Sequence, residues 1–250
     1  MKIVACVKRV PTTEAQAKLA ADGKSLDGSG WQYMLSFYDE LALEEALKTK
    51  EKLGGEVIVL TLGPSEATKE VRECLARGAD SGVILKDSDP SSRDARATAK
   101  ALAAKVRALG ADLVFTGRVA TDRDNAAVGQ MLATYLGWAC VSEVNALDLS
   151  AGGGTARRET EHGVETVAFQ LPAVITCNKG LNEPRRASLK GIMGAKTKPI
   201  AEEAPELVPN QTVVLKVEMP PARKAGRIIG EGAAAVPALI TALRTEAQVL

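Results

Sequence analysis

An α/β fold with a mostly parallel sheet and helices on both faces is what this sequence predicts. Two observations carry the expectation. Strand-like and helix-like patterns alternate four times between Ile3 and Thr116, and the strand patterns are continuous apolar runs instead of alternating ones. Alternation of this kind feeds parallel strands through helical crossovers, and strands covered on both faces lose the polar residue at every second position. A third feature sets the far end apart: after residue 177 the chain becomes proline-punctuated and aperiodic, as an extended arm would be.

The elements follow in order. Ile3-Val4-Ala5-Cys6-Val7, between Lys2 and Lys8, is the first strand. Ala42, Leu43, Ala46, Leu47 and Leu53 then recur at helical spacing, with Glu44, Glu45, Lys48, Lys50 and Glu51 on the opposite face and Gly54-Gly55 as the stop. Glu56-Val57-Ile58-Val59-Leu60-Thr61 is the second strand, closed by Gly63-Pro64. Ser65 is expected to cap a helix reaching Leu75, Gly78 ends it, and Gly82-Val83-Ile84-Leu85 is the third strand. An alanine-rich helix runs from about Asp94 to Leu109, Gly110 stops it, and Asp112-Leu113-Val114-Phe115-Thr116 is the fourth strand.

Beyond Thr116, Val128, Met131, Leu132, Tyr135 and Leu136 fall on one helical stripe, and Asp124 is its expected N-cap. Strand-like stretches at 141–149 and 165–170 flank Gly152-Gly153-Gly154, which reads as a hairpin turn. Pro172-Ala173-Val174-Ile175-Thr176-Cys177 is a further buried strand. Within the arm, residues 212–217 look strand-like and 236–243 helical.

Composition narrows the function. Lys and Arg total 32 against 31 Asp and Glu, a formal net charge of +1, which excludes a globally basic nucleic-acid binder. At 46% hydrophobic residues the chain can build a core and is not a disordered one. Only 3% of residues are aromatic and His162 is the sole histidine, so little side-chain machinery exists for proton transfer, and any redox or group-transfer chemistry falls to a bound cofactor. The four cysteines, Cys6, Cys74, Cys140 and Cys177, have no metal-ligand spacing and read as reduced thiols of a cytosol-like compartment. No apolar run is long enough to span a membrane and no signal-peptide pattern opens the chain, so no membrane insertion is expected.

The strongest candidate site is the loop after the fourth strand. Gly117 permits close backbone approach, Arg118 and Arg123 add charge, and the helix starting near Ala126-Ala127-Val128 offers unpaired N–H groups at its positive end; together these suit a phosphate, while an ordinary capped loop is the plainer reading. Neither GxxxxGK[ST] nor a strand-linked GxGxxG occurs. Lys8-Arg9, at the carboxyl end of the first strand, either meets an anion or is a solvated strand end. Asp39, Glu40, Glu44 and Glu45 are read as a solvated, acidic helix start and not as an acid/base or metal cluster, and His162 as a surface residue near a turn. Leu189, Ile192 and Met193 are apolar within the Lys- and Arg-rich stretch 183–198, which suits either a docking element or a helix tucked onto the core.

These segments resemble the beta subunit of electron transfer flavoprotein. The resemblance is carried by Val7-Lys8-Arg9-Val10-Pro11, Asp39-Glu40-Leu41-Ala42-Leu43-Glu44-Glu45-Ala46, Gly78-Ala79-Asp80, residues 117–130, the stretch 158–176 and Leu181-Asn182-Glu183-Pro184-Arg185, with a weaker echo at Arg223-Lys224-Ala225-Gly226. It implies a Rossmann-like fold of the adenine-nucleotide alpha-hydrolase-like type, with a nucleotide-binding domain over 1–177 and a recognition loop and C-terminal arm over 178–250 that packs on an alpha subunit. It further implies FAD shared with that subunit and a structural AMP. By position the nucleotide segments are Cys6, Ser36-Phe37-Tyr38-Asp39, Leu62 and Gly117-Arg118-Val119-Ala120-Thr121-Asp122-Arg123-Asp124-Asn125-Ala126-Ala127-Val128, with Thr13 and Tyr38 near the flavin ring. The partner-docking residues are Leu189, Ile192, Met193 and Arg185.

The implied role is an electron carrier and not an enzyme, taking electrons from flavin dehydrogenases such as acyl-CoA dehydrogenases toward a quinone oxidoreductase, in the cytoplasm or, in a eukaryote, the mitochondrial matrix. One departure bears on the second cofactor. The usual single-FAD members carry Asn-Gln-Thr-Gly where this chain has Ala126-Ala127-Val128-Gly129, which looks more like electron-bifurcating members that hold a second FAD and oxidise NADH; Leu181-Asn182-Glu183-Pro184-Arg185 and Gln130-Met131 look like the AMP-containing ones. The balance favours AMP. A stand-alone nucleotide-binding enzyme is a third class, and the chain lacks the catalytic set that class needs.

Overall fold

The computed structural model describes residues 1–222 and 225–250. The Arg223-Lys224 part of the C-terminal echo lies outside the described residues. Two compact units are present, one formed by Met1–Lys18 and Asp27–Val214, the other by Leu19–Leu26 and Leu215–Leu250.

The first unit is built on one sheet. In chain order its elements are β1 (Lys2–Cys6), β2 (Arg9–Pro11), β3 (Tyr33–Leu35), α1 (Phe37–Leu53), β4 (Glu56–Gly63), α2 (Thr68–Arg77), β5 (Ser81–Lys86), α3 (Ala95–Leu109), β6 (Leu113–Gly117), α4 (Val128–Leu136), β7 (Ala139–Ser150), β8 (Gly153–Thr160), β9 (Gly163–Gln170), β10 (Ala173–Cys177), α5 (Leu189–Ala195) and β11 (Ile200–Glu203). Among the described residues nine strands pair in the order β11-β5-β4-β1-β6-β10-β7-β8-β9, while β2 and β3 form a separate antiparallel ribbon. From β11 to β7 every pairing is parallel; β8 and β9 append an antiparallel meander. The expected Rossmann-like α/β class is what the chain adopts.

Side chains alternate across the buried strands, so each strand feeds two cores. Ile3, Ala5, Phe115 and Ile175 pack with α1 and α2 on one face, and Val4, Val114 and Val174 with α3 and α4 on the other. This is why the parallel strands read as unbroken apolar runs.

Several local expectations need correction. Glu44 and Glu45 are not solvated: both are buried, because residues 181–187 run over α1 and bring polar partners to them. Ser65 opens a short 3₁₀ turn (Ser65–Ala67) without acting as a side-chain cap, and its carbonyl accepts the Thr68 hydroxyl at 2.7 Å. Of the glycine triplet only Gly152 lies in the turn; Gly153 and Gly154 open β8, a strand hidden by its polar sequence. Residues 212–217 form no strand, whereas the aperiodic region supplies α5 and the edge strand β11, so the sheet-bearing unit continues past residue 177 to Val214.

In the second unit Leu19 bridges Leu26, the Val217 N–H donates to the Gly23 carbonyl at 2.9 Å, and α6 (Val236–Ala242) continues into a π turn (Leu243–Ala247) braced by an Arg227–Glu246 ion pair at 2.5 Å. Leu215 and Ile228 are more than four-fifths exposed. No described helix is long and apolar enough to cross a membrane.

Candidate functional site

The crevice at the carboxyl ends of β1 and β6 is where the topology directs a ligand. β1 pairs with β4 on one side and β6 on the other; the chain winds outward through β4 and β5, then returns to lay β6 against the opposite edge of β1. Connections leave these two strands in opposing directions, and open α/β sheets bind ligands at such switch points.

Asp39 organises the crevice. It lies in the first turn of α1, buried, and its carboxylate accepts the Lys8 N–H at 2.8 Å and the Gly117 N–H at 3.0 Å, joining the ends of β1 and β6. Burial pushes its carboxyl up to about 7, against the lowering pull of these two N–H donors and the Lys8 charge. Gly117 is glycine for a reason the sequence does not display: a Cβ there would strike the Asp39 carboxylate and the Tyr38 backbone. Its close approach is to α1.

Ser36 sits at the head of the same helix. Its N–H donates to the Lys8 carbonyl at 3.0 Å, and its carbonyl accepts the Asp39 N–H at 3.0 Å. Its hydroxyl is fully buried and, among the described residues, has no hydrogen-bond partner. Buried hydroxyls are normally satisfied, so this one stands out as a donor and acceptor without a protein partner.

The loop from Arg118 to Ala127 follows β6 at the same end of the sheet. Lys8 Nζ pairs with Asp122 Oδ2 at 2.6 Å, and the Arg118 guanidinium reaches Glu143 at 3.2 Å and lies over the Tyr38 ring at 5.7 Å from its centroid. Phe37 meets Tyr38 edge-on at 5.3 Å. The Asp124 N–H donates to the Ala120 carbonyl at 3.0 Å, a turn that leaves Asp124 three residues short of α4. The N-cap position is Ala127, without a side-chain cap, which corrects the expectation for Asp124. Asp124 and Ala126 both adopt left-handed φ, +50° and +48°. Non-glycine residues pay about 1–2 kcal/mol each for that conformation; here it turns the loop so that the first N–H groups of α4 stay uncapped, the arrangement an anion uses.

The structure therefore brings Cys6, Ser36, Tyr38, Asp39, Gly117, Arg118 and Asp122 together around the ends of β1 and β6. Cys6 is a buried thiol at the end of β1 whose ionisation is pushed up by burial and by Asp39. Leu62, next to last in β4, lies one strand over and is half-buried. Val119 is buried; Thr121, Arg123, Asn125 and Ala126 are exposed, and Val128 begins α4. Thr13 is exposed beyond β2, outside this cluster. Lys8, legible in the sequence only as a basic strand end, ties Asp39 through its N–H and Asp122 through its ammonium.

A second candidate surface is α5. Leu189 is 78% exposed, with Ile192 and Met193 also exposed, so the apolar residues are not tucked onto the core. Arg185 is turned inward: its guanidinium holds Glu44 at 2.8 Å and also pairs with Glu51, which draws the Glu51 carboxyl down, while Asn182 Nδ2 donates to the Leu41 carbonyl at 3.0 Å and to Glu45 at 2.9 Å. His162 is exposed in the turn between β8 and β9.

Comparison with known proteins shows the family of the chain. The model of the electron transfer flavoprotein domain matches residues 29–207. A Bradyrhizobium diazoefficiens protein named electron transfer flavoprotein subunit beta is 36% identical over 100% of both chains. One of the same name from Syntrophomonas wolfei subsp. wolfei is 35% identical over 90% of this chain and 88% of its own. The rice protein named electron transfer flavoprotein subunit beta, mitochondrial, is 37% identical over 100% of both chains.

Proposed function

The chain belongs to the family of electron transfer flavoprotein beta subunits, and on that premise we propose that it joins an alpha subunit to form a heterodimeric electron carrier. In this reading FAD, shared with the alpha subunit, supplies the redox chemistry, and this chain supplies an AMP site, one wall of the flavin pocket and a docking surface. Electrons come from flavin dehydrogenases such as acyl-CoA dehydrogenases and leave toward a quinone oxidoreductase. The four unpaired thiols suit a reducing compartment such as the cytoplasm or the mitochondrial matrix. The exposed apolar residues of the 215–250 arm, Leu215 and Ile228 among them, suit packing on the alpha subunit.

The observation that carries the nucleotide reading is the buried, partnerless Ser36 hydroxyl beside the uncapped α4 loop. A nucleotide's hydroxyls or phosphate satisfy both kinds of group. Ser36, the Gly117–Val128 loop backbone and Lys8 would hold it.

A second reading, an electron-bifurcating protein with a second FAD in place of AMP, is favoured by one feature: Ala126, Ala127 and Val128 offer the ligand no polar side chain, so that this stretch of the loop binds through its backbone alone. Denaturing the purified heterodimer and quantifying the released cofactors separates the two. One FAD and one AMP supports the single-flavin carrier; two FAD without AMP overturns it.

A further inference from the structure

The geometry points to Arg72 and Lys198 as positioning residues that hold α5 ready for docking, an inference that rests on the docking reading of Leu189. Nothing in the sequence of α5 itself keeps it in place. Seven residues are too few for a helix to persist alone, and Gly191 and Gly194 weaken it further. Nor does apolar burial hold it: Ala195 is its one buried residue, and Leu189, Ile192 and Met193 face away from the core.

What holds α5 is a reciprocal exchange of carbonyl partners with α2. Arg72, in mid-α2, donates from Nη1 to the Ala195 carbonyl at 2.6 Å and the Lys198 carbonyl at 2.7 Å, at and just past the end of α5. Lys198 answers at the end of α2, its Nζ donating to the Leu75 carbonyl at 3.0 Å and the Ala79 carbonyl at 2.6 Å. The last carbonyls of a helix lack intrahelical partners and carry the negative end of its dipole, so each cation sits where that helix favours one. At the start of α5, the Ser188 hydroxyl accepts the Gly191 N–H at 3.0 Å, and Gly191 runs so close to α2 that a Cβ would strike the Ala76 carbonyl. α2 is itself anchored through buried Val71, Cys74 and Leu75. The short helix is thus fixed by polar contacts to a rigid neighbour, leaving its apolar residues available. A docking surface ordered in advance loses less entropy on binding.

The test uses the heterodimer and compares Arg72→Met, Lys198→Met, Arg72→Lys and Leu189→Ala with the parent. Two quantities are read: amide hydrogen exchange across residues 189–197, and flavin reduction by an acyl-CoA dehydrogenase with its acyl-CoA, separating kcat from KM for the heterodimer. Both Met variants should exchange at least about tenfold faster in α5 and show KM raised about tenfold, with kcat and flavin content unchanged. Arg72→Lys, which keeps a cationic donor, should restore most of the KM. Unchanged exchange in both Met variants overturns the assignment, as does faster exchange with unmoved KM when Leu189→Ala raises KM. Loss of flavin in both Met variants makes Arg72 and Lys198 general supports of the fold and overturns it too. If Leu189→Ala leaves KM unchanged the docking reading itself fails, and exchange alone then decides whether the two cations hold α5.

Discussion

Asp39 Oδ1 accepts the Gly117 N–H at 3.0 Å, across 78 positions of sequence, while its other oxygen accepts the Lys8 N–H at 2.8 Å. One carboxylate thereby ties the ends of β1 and β6 to the first turn of α1, at the point where the sheet topology opens its crevice. Lys8 in turn reaches Asp122, so the tie extends into the loop before α4.

Asp39 gives a pH dependence with a definite sign. Its carboxyl titrates near about 7 in the fold against 3.8 ordinarily, because burial opposes the charge. Between those values the folded chain holds a proton that the unfolded chain has lost, so stability falls as pH rises through the window and is level on either side. Asp39→Asn should flatten that slope. It should also lower stability by about 1–3 kcal/mol, since its amide NH₂ faces a peptide N–H that the carboxylate oxygen had accepted. Urea unfolding at about pH 5 and about pH 7.5 checks both; an undiminished slope in the variant would assign the titration elsewhere.

Ser36→Ala should have opposite effects on the empty and loaded chain. Removing a buried hydroxyl that has no protein partner should leave the nucleotide-free chain equal or up to about 1 kcal/mol more stable. The same change should reduce AMP retained on purification and weaken its rebinding about five- to tenfold. Thermal midpoints with and without added AMP measure the crossing. A loss of stability in both states would mean that the hydroxyl serves the fold.

The parallel core was legible because burial on both faces removes polar alternation from strands such as Leu113–Gly117, and glycine stops such as Gly110 mark helix ends. Tertiary cover was not legible. Glu44 and Glu45 look like a solvated face in one dimension, and it is Asn182 and Arg185, some 140 positions later, that bond to them across the fold. β8 has no apolar signature, because its Arg157, Arg158 and Glu159 pattern is that of a solvated meander strand. α5 and β11 owe their places to α2 and β5, not to their own periodicity. In the crevice, the loop after β6 could be found from its glycine and charge, but the tie through Asp39 joins residues that no local pattern connects.

The Arg185–Glu44 pair invites a double-mutant cycle. Glu44 is buried and takes three side-chain hydrogen bonds within 3.1 Å from Arg185, whose own side chain is one-third exposed. Arg185→Met strands the carboxylate and should cost about 2 kcal/mol, less than for a fully buried pair because water reaches the guanidinium. With Glu44→Gln added, the double variant should be less destabilised than the sum of the single changes, with a coupling of about 1–3 kcal/mol from denaturant unfolding. Strict additivity would show that the pair contributes no mutual stabilisation.

Charge around α5 makes the proposed docking step sensitive to salt. Residues 178–198 carry six basic side chains, Lys179, Arg185, Arg186, Lys190, Lys196 and Lys198, against Glu183 alone. Arg185 and Lys198 are committed to contacts within the chain, but Lys179, Arg186, Lys190 and Lys196 are exposed, Lys190 within α5 and Lys196 directly after it. Such a stretch attracts a partner face that presents carboxylates around an apolar socket, and exposed charges act mainly on the rate of encounter. The apparent second-order rate of flavin reduction by a dehydrogenase should therefore fall several-fold as ionic strength rises from about 0.01 to about 0.15 M, as the Debye length shrinks from about 30 to about 8 Å. Lys190→Gln combined with Lys196→Gln should lower the rate at low salt and flatten its salt dependence, with kcat at saturation unchanged. Leu189→Ala should act differently: truncating an apolar anchor speeds dissociation, so the rate should drop by a similar factor at every salt concentration. A double Lys variant that keeps the full salt slope would move the steering charge off α5, to another part of the heterodimer.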